Sequence, residues 1–309
     1  MIAFCDQRQM ENLEERHVPV LRREVLEYLD IRRGDCIVDC TLGLGGHALG
    51  ILERIGAQGK LIAIDCDRQS LECARARLSA YAPQIEFVHE NFRQLDNILK
   101  TLRIESVDGI LFDLGVSGFQ LDNPKRGFSF QNDGPLDMRL NQESMISAYD
   151  LINSLSEKEL CSLLKNYGEE RYAKAIAKGI ISKRAVHPIE SSQELKELIL
   201  QSVPGSYRKQ KIHPATRTFQ AVRIAVNQEL ESLGLALEKS RLSLKPSGRI
   251  CVISFHSLED RIVKNSLRLA VQSGQMKWVV KKPLIPQPEE IQANPRARSA
   301  RLRVAERIV

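Results

Sequence analysis

The chain has 309 residues, 43% of them hydrophobic and 27% charged, and 45 Lys and Arg against 39 Asp and Glu give a formal net charge of +6. This is ordinary globular composition, which excludes a mainly disordered, collagen-like or fibrous chain and suggests about two domains of roughly 150 residues each. The mild positive excess permits an anionic partner without requiring one.

The N-terminus opens Met1-Ile2-Ala3-Phe4-Cys5-Asp6 and then turns polar, without the basic and apolar segments of a signal peptide. The longest apolar stretches, such as 61–64 and 250–255, fall far short of the roughly 20 residues that span a bilayer, so no membrane association is expected. Cys5, Cys36, Cys40, Cys66, Cys73, Cys161 and Cys251 are odd in number and include no Cys-x-x-Cys pair. Neither a zinc ribbon nor a disulfide framework is indicated, no metal is expected, and a reducing cytoplasmic location fits.

Short apolar runs at 36–40, 61–65, 85–89 and 109–113 alternate with helical spacing such as Leu71, Ala74 and Leu78. This rhythm predicts a doubly wound α/β domain, a parallel sheet with helices on both faces. After Asp113 the rhythm stops. From about Asp122 to Arg217 the signals are helical, with capping boxes at Ser156-x-x-Glu159 and Ser191-x-x-Glu194 followed by apolar residues at helical spacing. Strand-like sequence resumes at 249–255 and 301–307, and 283–295, with four prolines, reads as an extended linker or wrapped arm. The predicted organisation is a discontinuous sheet domain, 1–121 with 218–309, interrupted by an all-helical insert at 122–217.

Asp39-Cys-Thr-Leu-Gly-Leu-Gly-Gly-His47 follows the first strand and precedes a helix-compatible segment. Its glycines allow a tight turn and close backbone approach to a ligand. Asp65 ends the second strand 22 residues after Gly43, where an acid in doubly wound folds receives the ribose hydroxyls of a nucleoside. Gly43-x-Gly45-x-x-Ala48 also satisfies the dinucleotide pattern, so NAD stays open on the glycines alone. Asp39 and Asp113 favour S-adenosylmethionine, because repeated carboxylates repel a diphosphate and attract an ammonium or sulfonium.

Several longer motifs stand in order along the chain: His17-Val-Pro-Val-Leu21, Thr41-Leu-Gly-Leu-Gly-Gly-His47, Asp108-Gly-Ile-Leu-Phe-Asp-Leu-Gly-Val-Ser117, Arg126-Gly-Phe-Ser-Phe130 and Gly134-Pro-Leu-Asp-Met-Arg139. Tyr167-Gly-Glu-Glu170, His213-Pro-Ala-Thr-Arg-Thr-Phe-Gln-Ala-Val-Arg223, Ser254-Phe-His-Ser-Leu-Glu-Asp-Arg261 and Asn294-Pro-Arg-Ala-Arg-Ser-Ala300 continue the series. Together they resemble the bacterial 16S rRNA (cytosine-N4) methyltransferase family from about His17 to the C-terminus. The resemblance implies a Rossmann-like methyltransferase sheet and a cytoplasmic enzyme. It also implies methyl transfer from S-adenosylmethionine to the exocyclic N4 amine of a decoding-region cytidine. The implied partner is 16S rRNA within an assembled small ribosomal subunit, and a homodimer is allowed. Family cofactor positions carry over to Gly45, Gly46, His47, Asp65, Phe92, Asp113 and Gln120.

Two departures stand out. The family shows Ser-Ser-Pro-Gln where this chain has Ser117-Gly-Phe-Gln120, which is expected to free the loop carrying Gln120. Leu44 and Ala48 replace a commoner Gly and Ser, which should leave the first loop stiffer and less polar. For catalysis, Asp113 is the candidate to hold the amine, against cofactor contact alone. His256, after the fifth strand, is either a second catalytic group or a hydrogen-bonded structural histidine. Candidate RNA contacts are Tyr207-Arg-Lys-Gln-Lys211 with Arg217, then Arg296, Arg298, Arg301 and Arg303, against solvated faces. Arg126, Phe128 and Arg139 join them, with salt bridges that anchor the helices as the alternative. Residues 294–309 hold five Arg and one Glu, a net +4.

Overall fold

The computed structural model describes residues 19–308 and divides into two compact units, 1–115 with 230–309, and 116–229. His17, Val18, Cys5 and the N-terminal segment read for targeting lie outside the described residues. No helix among the described residues is long and apolar enough to cross a membrane.

The first unit is built on one seven-stranded sheet of order β3-β2-β1-β4-β5-β7-β6. Its strands are β1 (Cys36–Asp39), β2 (Lys60–Asp65), β3 (Ile85–His89), β4 (Val107–Asp113), β5 (Leu244–Ser254), β6 (Met276–Trp278) and β7 (Arg301–Arg307). The helices are α1 (Arg22–Tyr28), α2 (Gly46–Ile55), α3 (Arg68–Arg77) and α4 (Leu95–Thr101). The insert holds α5 (Gly118–Asp122), α6 (Ala148–Ser154), α7 (Glu157–Gly168), α8 (Ala173–Arg184), α9 (Ser192–Ser202), α10 (Gly205–Arg208) and α11 (Ala215–Asn227). After it come α12 (Glu229–Ser243), α13 (Ser257–Gln272) and α14 (Pro288–Ala293).

The parallel strands are apolar because both faces are covered. In β2 the four central residues are buried, and separate apolar clusters lie on the two sides of the sheet. β1 pairs in parallel with both β2 and β4, so the strand order reverses between β1 and β4. At such a reversal the helices leave to opposite faces, and a crevice opens beyond the carboxyl ends of the strands. β5 begins five residues earlier than its apolar run predicts, and β6 is a short strand too weakly patterned to be read from sequence. Within 283–295, α14 and a bridge between Leu284 and Leu302 replace much of the expected extended arm.

β7 runs antiparallel between β5 and β6. It is locked by a buried ion pair: Arg303 Nε and a terminal nitrogen donate to Asp260 at 2.7 and 3.1 Å, and Arg301 adds a third contact at 3.0 Å. Burial alone would push the Asp260 carboxyl up, but hydrogen bonds and charge from the two arginines prevail and hold it below the usual range. Arg249 of β5 likewise donates to Glu306 of β7 at 2.9 Å. Arg303 is therefore a buried fastening group of the sheet, while Arg301 reaches the same carboxylate from an exposed position.

The second unit is helical and has its own core, including Ile152, Leu160, Leu164, Ile176, Leu195, Phe219 and Val222. The capping boxes at Ser156/Glu159 and Ser191/Glu194 form as read, and Ser147/Asp150 supplies a third. The unit begins before 122 and ends after 217 because Leu121 and α11 pack into this helical core.

Asp260→Ala should leave Arg303 buried with its charge uncompensated, at a cost of about 3–5 kcal/mol. Urea denaturation measures this, and a loss under about 1 kcal/mol would show that the pair does not fasten β7.

Candidate functional site

Three carboxylates converge on the carboxyl ends of the adjacent strands β2, β1 and β4. Asp39 ends β1 and is 1% exposed. Its Oδ1 accepts the Thr41 N–H at 3.1 Å. Asp65 ends β2, and its two oxygens accept the Gly43 and Asp67 N–H groups, each at 2.8 Å. Asp113 ends β4, and its N–H donates to Thr41 Oγ1 at 2.6 Å, tying β4 to the loop after β1.

The loop between β1 and α2 owes its path to glycines with neighbours too close for a side chain. Gly45 caps α2 with φ 77°, and a Cβ on Gly46 would stand 2.5 Å from Pro19 Cγ. Pro19 belongs to the motif starting at His17, so the two motifs meet by packing. Leu44, one of the substituted positions, offers its carbonyl to Arg77 at 3.2 Å.

His47 lies in the first turn of α2 with its side chain 6% exposed, and its Nε2 is 3.5 Å from Asp113 Oδ2. His47 Nδ1 and Nε2 and Asp113 Oδ1 are buried without a hydrogen-bond partner among the described residues. Buried polar atoms are normally satisfied, so these point to a ligand with polar groups of its own. Burial pushes the Asp39 carboxyl up to about 7, with Asp113 and Asp65 pushing the same way while His47 and the Thr41 N–H oppose. Burial likewise raises Asp65 to about 6, against the Asp67 and Gly43 N–H groups. The donor set fits a nucleoside bearing positive charge. Asp65 has lone pairs left for ribose hydroxyls, and the N-terminus of α2 offers N–H groups. Asp39 and Asp113 would repel a diphosphate.

Phe92 is half-buried and packs edge-on against Phe112 of β4, with ring centroids 5.6 Å apart. Gly45, Gly46, His47, Asp65, Phe92 and Asp113 thus all belong to the first unit. Thr41, Asp67 and His89 were not singled out from sequence. His89 Nε2 lies 3.0 Å from the Cys66 carbonyl and steadies the turn after Asp65. Only polar residues next to strand ends hint at such roles.

Gln120 belongs to the second unit, where the chain forms α5 rather than a freed loop. Gln120 Oε1 accepts the Ser117 N–H at 2.9 Å, and the Gln120 N–H donates to Ser117 Oγ at 3.3 Å. His256 is the N-cap of α13: its Nδ1 accepts the Glu259 N–H at 3.4 Å, and Nε2 lies 3.1 Å from Glu259 Oε1. Glu259 in turn accepts the Phe255 and His256 N–H groups. That geometry makes His256 the cap of α13, while its Nε2 is buried without a hydrogen-bond partner among the described residues.

The proposed RNA-gripping residues of the insert mostly turn inward. Arg126 is 2% exposed and donates to the Arg139 and Leu140 carbonyls at 2.9 and 3.1 Å. Phe128 is buried, and Arg139 grips Asp137 through contacts of 2.6 to 3.2 Å. The Tyr207 hydroxyl donates to buried Glu170 at 3.1 Å, and Arg217 donates to the Glu169 carbonyl. Arg208, Lys209, Lys211, Arg296 and Arg298 remain exposed.

The MraW methylase family model matches residues 14–308. A protein named ribosomal RNA small subunit methyltransferase H from Clostridium botulinum (strain Kyoto / Type A2) is 45% identical over 311 residues, covering 96% of this chain and 100% of that one. Its namesake from Caldicellulosiruptor saccharolyticus is 47% identical over 307 residues, covering 94% and 99%. Among solved structures, TrmN from Thermus thermophilus gives a TM-score of 0.47 at 13% identity, covering 97% of this chain and 53% of that one.

In the fold Asp39 keeps its proton at pH values where the unfolded chain has lost it. The native state therefore binds more protons, and stability falls as pH rises from about 4 to about 7. Asp39→Asn should remove this dependence. Between about pH 4 and about pH 8 its stability relative to wild type should improve by about 2–4 kcal/mol in cofactor-free urea denaturation. A constant difference across that range would show that Asp39 carries no buried charge.

Proposed function

The chain belongs to the MraW methylase family, and from that membership we propose that it methylates small-subunit ribosomal RNA. The reaction moves a methyl group from S-adenosylmethionine to the N4 amine of a decoding-region cytidine in 16S rRNA. The observation that carries this reading is the trio of carboxylates at the strand ends. They suit a cofactor bearing ammonium and sulfonium charges and a substrate that presents an amine.

In this reading Asp65 accepts the ribose hydroxyls, Asp39 balances the ammonium charge, and Phe92 walls the adenine. Gly45, Gly46 and His47 supply the loop and the first N–H groups of α2. When bound, the cofactor supplies an electrophilic methyl group. The cytosine amine is a poor nucleophile because its lone pair is delocalised into the ring. Asp113 accepts a hydrogen bond from that amine and aligns it, so the rate gain comes from proximity and electrostatics. The base leaves its stack to reach the site. With most arginines of the candidate clusters engaged inside the protein, the exposed Arg208, Lys209, Lys211, Arg296 and Arg298 carry the phosphate contacts.

The test is transfer of a labelled methyl group to small-subunit particles, followed by nucleoside mass spectrometry. One N4-methylated cytidine in 16S rRNA is expected. A methyl group on a ribose or a ring carbon, or none in any RNA with the cofactor demonstrably bound, would reject the reading. Asp65→Ala should weaken cofactor binding by about 1–3 kcal/mol in calorimetry, and unchanged affinity would remove Asp65 from the ribose site.

A further inference from the structure

The pairing of His47 with Asp113 has a chemistry that cofactor binding does not use. His47 Nε2 lies 3.5 Å from Asp113 Oδ2, and the other Asp113 oxygen, Oδ1, is a buried acceptor with no partner among the described residues. Both ends of the pair are held. The Asp113 N–H is tied to Thr41 Oγ1 at 2.6 Å, and the first turn of α2 is backed by Pro19 against Gly46. An imidazole kept in a dry site with neither nitrogen hydrogen-bonded costs stability, and catalytic hydrogen bonds often tighten only when the substrate is in place.

Resting on the methyltransferase reading, we propose that His47 is the proton-holding partner of Asp113. Asp113 Oδ1 accepts a hydrogen bond from the reacting amine and takes the proton it sheds. Rotation of the protonated carboxyl then presents that proton to the lone pair of His47 Nε2, the imidazole carrying its own hydrogen on Nδ1. The amine lone pair forms the new bond to the methyl carbon as the carbon–sulfur bond breaks and its electron pair goes to sulfur. The nitrogen, left with four bonds and a positive charge, loses one proton. That proton ends on the imidazole, where the restored carboxylate of Asp113 balances the charge. A carboxylate alone is a weak store for a proton at neutral pH, whereas imidazole takes one up there. His47 acts through Asp113 and is a positioning residue for the proton.

The charged groups bearing on this imidazole come from three strands and two helices. Asp39 faces it from β1 and Asp113 from β4, with Asp65 of β2 acting on Asp39. The Arg22–Glu53 pair, 3.6 Å apart, joins α1 to α2 about one turn further along.

The test combines 15N imidazole spectroscopy of the cofactor-free protein with single-turnover methyl transfer from about pH 6 to about pH 9, in wild type, His47→Gln and Asp113→Asn. Asp113→Asn should move the 15N resonance of His47 Nε2, the nitrogen that faces it, more than that of Nδ1. At saturating cofactor, His47→Gln should slow single-turnover transfer by about 10- to 100-fold and flatten the pH dependence near neutrality. An unmoved Nε2 resonance in Asp113→Asn, or a wild-type rate and pH profile in His47→Gln, would overturn the proposal. The spectroscopic arm needs no substrate and stands even if His47→Gln fails to fold. Failure of the wild type to methylate RNA would strike the methyltransferase reading instead, and the imidazole spectrum would still report on the pair.

Discussion

Burial of Asp39 and Asp65 at neighbouring strand ends governs this site, and at Asp39 the repulsion of Asp113 and Asp65 adds to it. Asp39, Asp65 and Asp113 end neighbouring strands, so the fold brings them together as a consequence of parallel pairing. The molecule tolerates this by spreading backbone N–H groups over Asp39 and Asp65 and by leaving Asp39 close to its own titration point. A positively charged ligand relieves the same repulsion, and that relief becomes binding energy. Stability given up in the free protein and affinity for a cation are two sides of one electrostatic arrangement.

The overall positive charge has a different use from the one that composition suggests. Arg303, Arg249 and Arg126 are spent on internal contacts, to Asp260, to Glu306 and to backbone carbonyls. Burial of a guanidinium demands partners with fixed geometry, so these side chains fix strand neighbours and a loop path. Under the proposed function, RNA would then be recognised through a few exposed side chains and fitted shape rather than through a basic field.

Much of the architecture was legible because its causes are local. Apolar runs ending in Asp mark strands covered on both faces, and Ser156 and Ser191 announce their helices through a Glu three residues on. The glycine loop and Asp65 stood out because spacing alone ties them together, and the structure joins them by a hydrogen bond of 2.8 Å. What escaped depends on partners remote in sequence. Nothing near Arg303 in the chain shows that Asp260 faces it, and Arg126 looks like any surface arginine until its carbonyl partners are placed. His256 was ambiguous for a subtler reason: a histidine N-cap uses the same pattern as Ser-x-x-Glu with an unusual capping residue. β6 has only three residues, too few for periodicity to show.

The most direct test of this electrostatic account is the number of protons exchanged when S-adenosylmethionine binds, measured by titration calorimetry in buffers of differing ionisation enthalpy. With Asp39 half-titrated near pH 7, binding of the cation should release roughly half a proton at that pH, and Asp39→Asn should abolish the release. Binding with no proton released, or a release that survives in Asp39→Asn, would contradict the claim that buried carboxylates select the ligand.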